Sequence, residues 1–193
     1  MNRIEPRQGL VAKLLARGGR ITYGRELKSS GVYAHHLRLT IDFLRANRAF
    51  ERCRKVPKPL CELAVLRAAT LIGCEFCIDI GSEYARRSGL RDDQLLALHE
   101  AHESGLFDAD QLLAIDLATQ MTATPGDVEP ELTRRLDDRF GSKGALELIH
   151  LIAWENFRAR ANVALGFGAA GFSEGKACAV PNPGAAVAGV AAG

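Results

Sequence analysis

Two cysteines separated by two residues are the part of this sequence best suited to chemistry. Cys74 and Cys77 lie in the stretch Gly-Cys-Glu-Phe-Cys-Ile-Asp, directly after a long apolar segment. Such a pair can act as a two-electron switch: one sulfur attacks an oxidant or a disulfide, the other resolves the intermediate, and an external dithiol resets both. Glu75 and Asp79 place negative charge nearby, which opposes thiolate formation if these carboxylates point inward.

Two purely structural roles for the pair remain open at this point. A structural zinc site needs four ligands, and Cys53 and Cys61 lack the spacing of a second zinc knuckle. Inert core thiols are the second role, because free cysteine is among the most buried residue types. The surroundings of the pair must therefore decide between chemistry and structure.

Composition places the chain among soluble globular domains and excludes several partners. The 193 residues are 47% hydrophobic and 25% charged, which is ordinary for one domain. A formal net charge of +2 with both signs interspersed provides no electrostatic footprint for nucleic acid. The amino terminus lacks the apolar core of a signal peptide, and no apolar run is long enough to span a bilayer. We therefore expect a cytoplasmic protein without membrane contact, in which five cysteines do not form a disulfide framework.

Apolar periodicity predicts helices joined by short breaks, and hence an all-α fold. Residues 32–53 repeat apolar side chains every three to four positions, which predicts one helix. Residues 60–72 are apolar almost all round, so this helix must be largely buried, and Gly73 ends it. The next helix begins near the CxxC pair and runs to Arg87, with Gly89 as its cap.

Further helices are predicted in the second half of the chain. A short helix covers residues 92–98, and Asp108 with Gln111 has the spacing of a capping box before another. A helix over residues 129–140 precedes a long final helix capped by Ser142. Residues 1–172 then form one helical domain. Residues 173–193 are rich in Gly, Ala and Pro and are expected to be disordered, so Cys178 receives no catalytic role.

The residues around the pair resemble a known family. Glu62, eleven residues, Cys74, two residues and Cys77, with an apolar helix between, resemble the alkylhydroperoxidase D-like branch of the carboxymuconolactone decarboxylase family. Residues 60–90 carry the closest resemblance, and residues 155–166 look like the closing helix of uncharacterised members. The resemblance implies an alkylhydroperoxidase D-like helical bundle, assembled as a homo-oligomer, without a cofactor. In it the cysteine pair reduces organic hydroperoxides and is re-reduced by a dithiol reductant or a thiol-bearing redox protein.

The resemblance also implies roles for single residues. Cys77 would attack the peroxide, Cys74 would resolve the intermediate, and Glu62 would belong to a proton relay. Position at the helix start favours Cys74 instead as the more acidic thiol. On one straight helix Glu62 would lie about 16 Å from Gly73, so the relay requires a bend, a folding back or a water. Otherwise Glu62 is a first-turn carboxylate favoured by the helix dipole.

The sequence departs from the family pattern at position 81. Peroxidase members carry a histidine four residues after the second cysteine, and here that residue is Gly81. His150 is the best substitute by its setting in the final helix, although a lone histidine on an apolar face is usually a core residue. Nearby polar residues suit either a substrate site or a solvated or subunit-facing surface. These residues are Glu155, Asn156, Arg158 and Asn162.

Three function classes follow from these residues. The first is a thiol-dependent peroxidase or disulfide reductase, which predicts a redox-active bond between Cys74 and Cys77 while Cys53 and Cys61 stay reduced. The second is a cofactor-free lyase or isomerase like the decarboxylase branch, which does not need the cysteine pair. The third is a non-catalytic helical oligomer or binding module, favoured by the missing histidine. We favour the first.

Overall fold

A computed structural model describes residues 4–27, 29–124 and 126–180, and every regular element in these ranges is helical. The first five helices are α1 (Leu10–Tyr23), α2 (Ser30–Tyr33), α3 (Leu37–Phe50), α4 (Lys58–Ile72) and α5 (Glu75–Arg87). The remaining ones are α6 (Asp92–Leu96), a short 3₁₀ helix (Ala97–Glu100), α7 (Ala101–Ser104), α8 (Ala109–Thr122) and α9 (Pro130–Leu165). The predicted all-α class is confirmed.

Helix α4 is the central element, because α5, α8 and α9 pack around it. Leu63 and Leu66 are fully buried, and the two hydrophobic clusters of the described chain both contain α4 side chains. The buried Arg67 donates to Thr119 Oγ1 at 3.0 Å and to the carbonyl of Leu98 at 3.2 Å. An all-round apolar helix with one satisfied cation is thus enclosed on every side, as its sequence predicts.

The turn at Gly73 places the cysteine pair. Gly73 has φ of 75°, in the left-handed region that favours glycine. α5 folds back along α4 after this turn, so that a Cβ added to Gly81 would meet Leu66 Cδ1 at 3.2 Å. Cys74 is the N-cap of α5, and its Sγ accepts the N–H of Cys77 at 3.2 Å. The pair therefore lies at a helix start, as predicted.

The remaining helix predictions are met in part. Asp108 and Gln111 form the predicted capping box of α8. The single helix predicted for residues 32–53 is divided into α2 and α3, because His36 caps α3 by accepting the N–H of Leu39 at 3.2 Å. Residues 130–140 and 142–165 meet at Gly141, whose φ of 69° and ψ of 165° break α9. Ser142 does not cap the second half, since its hydroxyl bonds Asp137 at 2.7 Å.

Helix α1 was not predicted. None of its residues is buried, and its apolar side chains Leu10, Leu14 and Ile21 are 60–79% exposed. Two adjacent glycines, Gly18 and Gly19, further weaken the helical pattern. Helix α1 packs on α2. Together with α3, α5 and α9 it lines one cavity.

The tail predicted for residues 173–193 is described only as far as residue 180, and this part is hydrogen-bonded to α5. Asp79 on α5 accepts the N–H groups of Ala170 at 2.8 Å, Phe172 at 3.0 Å and Ser173 at 2.7 Å. Ser82 accepts the N–H of Ala179 at 3.1 Å. The segment from Ala170 to Ala179 is therefore held on α5 by hydrogen bonds from its backbone N–H groups to the side chains of Asp79 and Ser82, and such bonds need few large apolar side chains. The rest of the predicted tail, residues 181–193, lies outside the described residues.

Within the ranges given above, no helix combines the length and the apolarity that a bilayer crossing requires.

Replacing Asp79 should destabilise the fold. Asp79→Ala removes one carboxylate and leaves three backbone N–H groups without their acceptor, so we expect a loss of about 3 kcal/mol in the free energy of unfolding. Urea denaturation followed by circular dichroism measures it. Asp127→Ala, at an exposed position, is the matched control and should change stability little. Equal stability of the two variants would contradict the role of Asp79.

Candidate active site at the cysteine pair

Cys74 and Cys77 are joined by a disulfide, with their Cα atoms 5.2 Å apart. Cys53, Cys61 and Cys178 are free thiols. The structure thus pairs the two cysteines that the sequence singled out. Cys74 is fully buried and Cys77 is 5% exposed, so neither sulfur lies open on the protein surface.

A cavity of about 340 Å³ reaches one of the two sulfur-bearing residues. Cys77 lines this cavity and Cys74 does not. The walls come mainly from apolar and aromatic side chains of α1 to α5 and α9. Among them are Leu14, Leu15, Tyr33, Phe43, Phe76 and Leu151. A small apolar molecule in the cavity would meet Cys77 first, which favours Cys77 as the attacking thiol and Cys74 as the resolving one.

Asn162 on α9 contacts the sulfur of Cys77 directly. Its Nδ2 donates to Cys77 Sγ at 3.4 Å, and the side chain is 7% exposed. An amide N–H directed at sulfur favours the thiolate over the thiol after reduction, since hydrogen bonds to the charged form stabilise it. The sequence placed Asn162 on a polar helix side without assigning this contact, because the two residues are 85 positions apart.

The two acidic residues near the pair do not face the cavity. The carboxylate of Asp79 is occupied by the C-terminal segment, and Glu75 is exposed. Neither lines the cavity with Cys77. Their negative charges are therefore directed away from the reacting sulfur, and they oppose thiolate formation less than their sequence positions suggest.

Glu62 shares the cavity with Cys77. The distance expected along one helix is shortened because α5 folds back along α4 after Gly73. Glu62 is 6% exposed and forms an ion pair with Lys58, four residues before it. This pairing keeps a buried carboxylate compensated, as a purely structural first-turn carboxylate also requires. Glu62 and Cys77 therefore border the same cavity.

The structure does not bring His150 to the cysteine pair. Its ring lies on the exposed side of α9, stacked on Phe50 with ring centroids 6.3 Å apart, and Nδ1 contacts the carbonyl of Leu146 at 2.9 Å. His150 does not line the cavity, and neither does another histidine of the described chain. Gly81 lines it, one helical turn beyond Cys77. His150 is therefore not placed to replace the histidine that is missing at position 81.

A buried polar cluster lies at the cavity wall formed by α3 and α9. Arg158 Nη1 donates to Glu51 at 2.5 Å and to Asn47 Oδ1 at 2.9 Å, and its guanidinium also pairs with Glu155. Glu155 is fully buried, and its Oε1 has no hydrogen-bond partner. Burial raises the pKa of the Glu155 carboxyl, although Arg158 opposes the shift. The sequence named Glu155 and Arg158 only as a polar face and did not identify Asn47 or Glu51.

Tyr84 adds a neutral hydrogen-bonding group to the same cavity. Burial raises the pKa of its phenol, so Tyr84 keeps its proton at neutral pH. The sequence did not identify it either. Across the described chain, no three His, Cys, Asp or Glu side chains are grouped to hold a metal ion.

Sequence comparisons find relatives whose own functions are not described. No protein-family model matches the chain. The uncharacterized protein YnjA of Escherichia coli (strain K12) is 36% identical over 120 residues, which are 62% of this chain and 63% of YnjA. The uncharacterized protein YdfG of Bacillus subtilis (strain 168) is 28% identical over 106 residues, which are 54% of this chain and 72% of YdfG. The chain thus spans less than two thirds of YnjA.

Structural comparisons find similar folds at low sequence identity. The debrominase Bmp8 in its apo form superposes with a TM-score of 0.74 at 18% identity, covering 86% of this chain and 91% of Bmp8. A cysteine-to-alanine variant of Bmp8 in complex with 2,3,4-tribromopyrrole gives 0.69 at 17% identity, covering 84% and 92%. The alkylhydroperoxidase AhpD core of an uncharacterized peroxidase-related protein from Ralstonia eutropha JMP134 gives 0.69 at 15% identity, covering 83% and 86%.

Removing the amide of Asn162 should slow reactions of the reduced Cys77. In Asn162→Ala the thiolate loses its buried donor, so alkylation of Cys77 by iodoacetamide at neutral pH should fall about ten-fold, the value of one hydrogen bond to a charged group. Peptide mass spectrometry of the dithiol-reduced protein measures the rate. Asn156→Ala is the control, because Asn156 on the same helix bonds Thr122 instead. Equal rates in both variants would exclude Asn162 from this role.

Proposed function

We propose that this chain, which has the alkylhydroperoxidase D-like fold, is a thiol-dependent reductase of small apolar substrates, with organic hydroperoxides as its expected oxidants. The observation that carries the proposal is the asymmetry of the pair. Cys77 lines an apolar cavity of about 340 Å³, while its disulfide partner Cys74 is fully buried behind it.

The chemistry balances with the residues present and an external dithiol. The Cys77 thiolate attacks the outer oxygen of ROOH, which breaks the O–O bond, releases ROH after protonation and leaves a sulfenic acid on Cys77. The Cys74 thiol then displaces water and closes the disulfide. A dithiol reductant opens the disulfide by exchange and returns both thiols, so that two electrons pass from the dithiol to the peroxide.

Burial constrains the reductant. Because Cys74 is fully buried and Cys77 is reached through the cavity, a small dithiol fits the site more readily than the surface of a folded redox protein. A thiol-bearing protein could act only by inserting a narrow segment. We keep both as proposed partners.

The site, within the described chain, has no histidine near Cys77 to supply the proton that the leaving group needs. With Gly81 at the family's histidine position and no histidine of the described residues on the cavity wall, the alkoxide or hydroxide must be protonated by other groups. Glu62 with Lys58, and the phenol of Tyr84, are proton-bearing groups on the cavity wall. We propose Glu62 as the acid–base residue of the relay, acting through water.

Reductive dehalogenation is a second candidate, favoured by the fold likeness to the debrominase Bmp8. In that reaction R–X and two thiols give R–H, a halide ion, a proton and the disulfide, so the same cysteine pair and reductant are used. The apolar and aromatic cavity walls also suit a halogenated ring. Release of halide ion from a halogenated pyrrole, measured beside peroxide consumption, distinguishes the two.

The lyase and binding-module classes are less well supported. A lyase or isomerase relying on histidine finds none on the cavity wall formed by the described chain. For a binding module, the disulfide beside the cavity would have no use. We also propose a homo-oligomer, because α1 and α3 expose large apolar side chains that a second copy could cover. Those 40% exposed or more are Leu10, Leu14, Ile21, Leu37, Leu39, Ile41 and Leu44.

Single cysteine variants test the proposed roles. Cys77→Ser should abolish consumption of cumene hydroperoxide with a small dithiol, because the attacking sulfur is lost. Cys74→Ser should still react once, leaving a sulfenic acid on Cys77 that a dimedone label traps. Cys61→Ser, outside the pair, is the control and should keep full turnover. Sulfenic acid on Cys74 instead of Cys77 would reverse the roles, and turnover by both variants would refute the proposal.

Introducing a histidine at position 81 should raise peroxidase activity. An imidazole there would lie one turn beyond Cys77 on the cavity wall, and acid–base assistance is worth roughly 10²- to 10⁴-fold. Gly81→His is therefore expected to increase the second-order rate with cumene hydroperoxide, and Cys77→Ser in the same background should abolish the gain.

Crowding at position 81 needs its own control. Any Cβ there meets Leu66 Cδ1 at 3.2 Å, so Gly81→Ala reports the cost of the side chain without the imidazole. The gain should be absent in Gly81→Ala. An unchanged rate in a Gly81→His variant that keeps its circular dichroism spectrum would show that proton transfer is not limiting.

A further inference from the structure

Charged side chains of the described chain line the cavity, and carboxylates outnumber cations among them. The carboxylates belong to Glu51, Glu62 and Glu155, and the cations to Lys58 and Arg158. The other lining residues of the described chain are apolar or uncharged. The charge that a bound molecule meets therefore depends on how these groups are paired with one another.

Both cations are already compensated by carboxylates of the protein. The Lys58 ammonium forms an ion pair with Glu62, one helical turn further along α4. Arg158 Nη1 donates to Glu51 at 2.5 Å, and its Nε donates to Glu155. A guanidinium keeps its charge at every pH at which proteins are folded, so the charge of Arg158 is divided between two carboxylates. Among the described residues of the wall, each cation thus has its counter-charge before a ligand enters.

The exposed fractions of these side chains show which charges a ligand would meet. At the pair between α3 and α9, the Glu51 side chain is 38% exposed and the Arg158 side chain only 18%. The carboxylate is therefore the more accessible partner of this pair. Lys58 is 62% exposed, so water screens its charge, whereas the carboxylate of Glu62 is buried and is screened less.

Reduction of the disulfide adds a further negative charge to the cavity. The Cys77 thiolate would lie on the same wall, and the donor that contacts its sulfur at 3.4 Å, Asn162, is a neutral amide. A hydrogen bond from an amide stabilises a thiolate but supplies no counter-charge. An anionic ligand would lose its hydration among the apolar walls and gain no free cation, and burying an unpaired charge is costly. A neutral ligand avoids this cost.

We propose that the cavity selects neutral molecules and rejects organic anions, and that the carboxylates of Glu51 and Glu62 set this selectivity. The substrates are then neutral alkyl or aryl hydroperoxides, and a hydroperoxide that also carries an ionised carboxylate is excluded. This statement about substrates rests on the proposed function, whereas the selectivity itself concerns binding alone.

A pair of isosteric ligands tests the selectivity. 4-Phenylbutanamide and 4-phenylbutyrate have the same shape, and at neutral pH they differ in one negative charge. Binding of both is measured by calorimetry to the full chain carrying Cys74→Ser and Cys77→Ser, which has no thiolate and cannot turn over. The dissociation constant of the acid should exceed that of the amide at least about ten-fold, because like charges repel in a partly desolvated site. Equal affinity, tighter binding of the acid, or no binding of the amide would overturn the proposal.

Isosteric substitutions in that background identify the carboxylates responsible. Glu51→Gln keeps an acceptor oxygen for Arg158 but removes one negative charge, so the ratio of the two dissociation constants should fall about five-fold. Glu62→Gln releases Lys58 from its ion pair and should lower the ratio similarly. Glu103→Gln, the same replacement at an exposed position outside the cavity, should leave the ratio unchanged.

Circular dichroism shows whether each variant is folded, and one folded cavity variant is enough for the test. An unchanged ratio in folded Glu51→Gln or Glu62→Gln overturns the role proposed for that residue. A ratio that falls equally in Glu103→Gln would assign the effect to the overall charge of the protein and overturn the proposal.

Turnover of the native protein separates this inference from the proposed function. Cumene hydroperoxide and the methyl ester of its para-carboxylate derivative should be consumed with kcat/KM at least about ten-fold above that of the ionised derivative. The ester controls for the size of the added group. Equal rates for ester and acid would overturn the selectivity and leave the peroxidase function standing. If no hydroperoxide is consumed while the amide still binds more tightly than the acid, the proposed function fails and the selectivity stands.

Discussion

The enclosure of α4 is the constraint on which the rest of the structure depends. A helix that is apolar almost all round cannot face water, so α5, α8 and α9 must surround it. The left-handed turn at Gly73 then returns the chain along α4 and sets the start of α5. Cys77 faces the space between α5 and α9, while Cys74, as N-cap, is sealed behind it. The different exposure of the two sulfurs is a consequence of one buried helix and one glycine.

The charged side chains buried in this interior are each paired with hydrogen-bond partners. Arg67 is held by Thr119 and a carbonyl, Asp79 by three backbone N–H groups, and Arg158 by Glu51, Asn47 and Glu155. Each set leaves its apolar surroundings free of uncompensated charge. The exception among the described residues is one oxygen of Glu155, which has no hydrogen-bond partner.

The sequence predicted the features that depend on residues close together in the chain, and it missed those that depend on residues far apart. Local spacing predicts the buried α4, the capping box at Asp108 and the position of the cysteine pair, because each depends on residues a few positions apart. The contact of Asn162 with Cys77 and the fastening of residues 170–173 by Asp79 join positions more than 80 apart, and no local spacing encodes them. His150 was misplaced for a related reason: a mid-helix position does not reveal which face the packing will bury. Helix α1 was not predicted, because its apolar side chains are exposed and form no buried stripe.

Helix α1 is held by little buried surface, whereas the cysteine pair lies in the packed core. α1 supplies Leu14, Leu15, Gly18 and Gly19 to the cavity wall yet buries none of its residues, whereas α4 and α5 hold the reacting groups in a packed core. Displacing a helix that gives up little buried area costs far less free energy than opening the core. A local displacement of α1 would therefore open the cavity without disturbing the core that holds the cysteine pair.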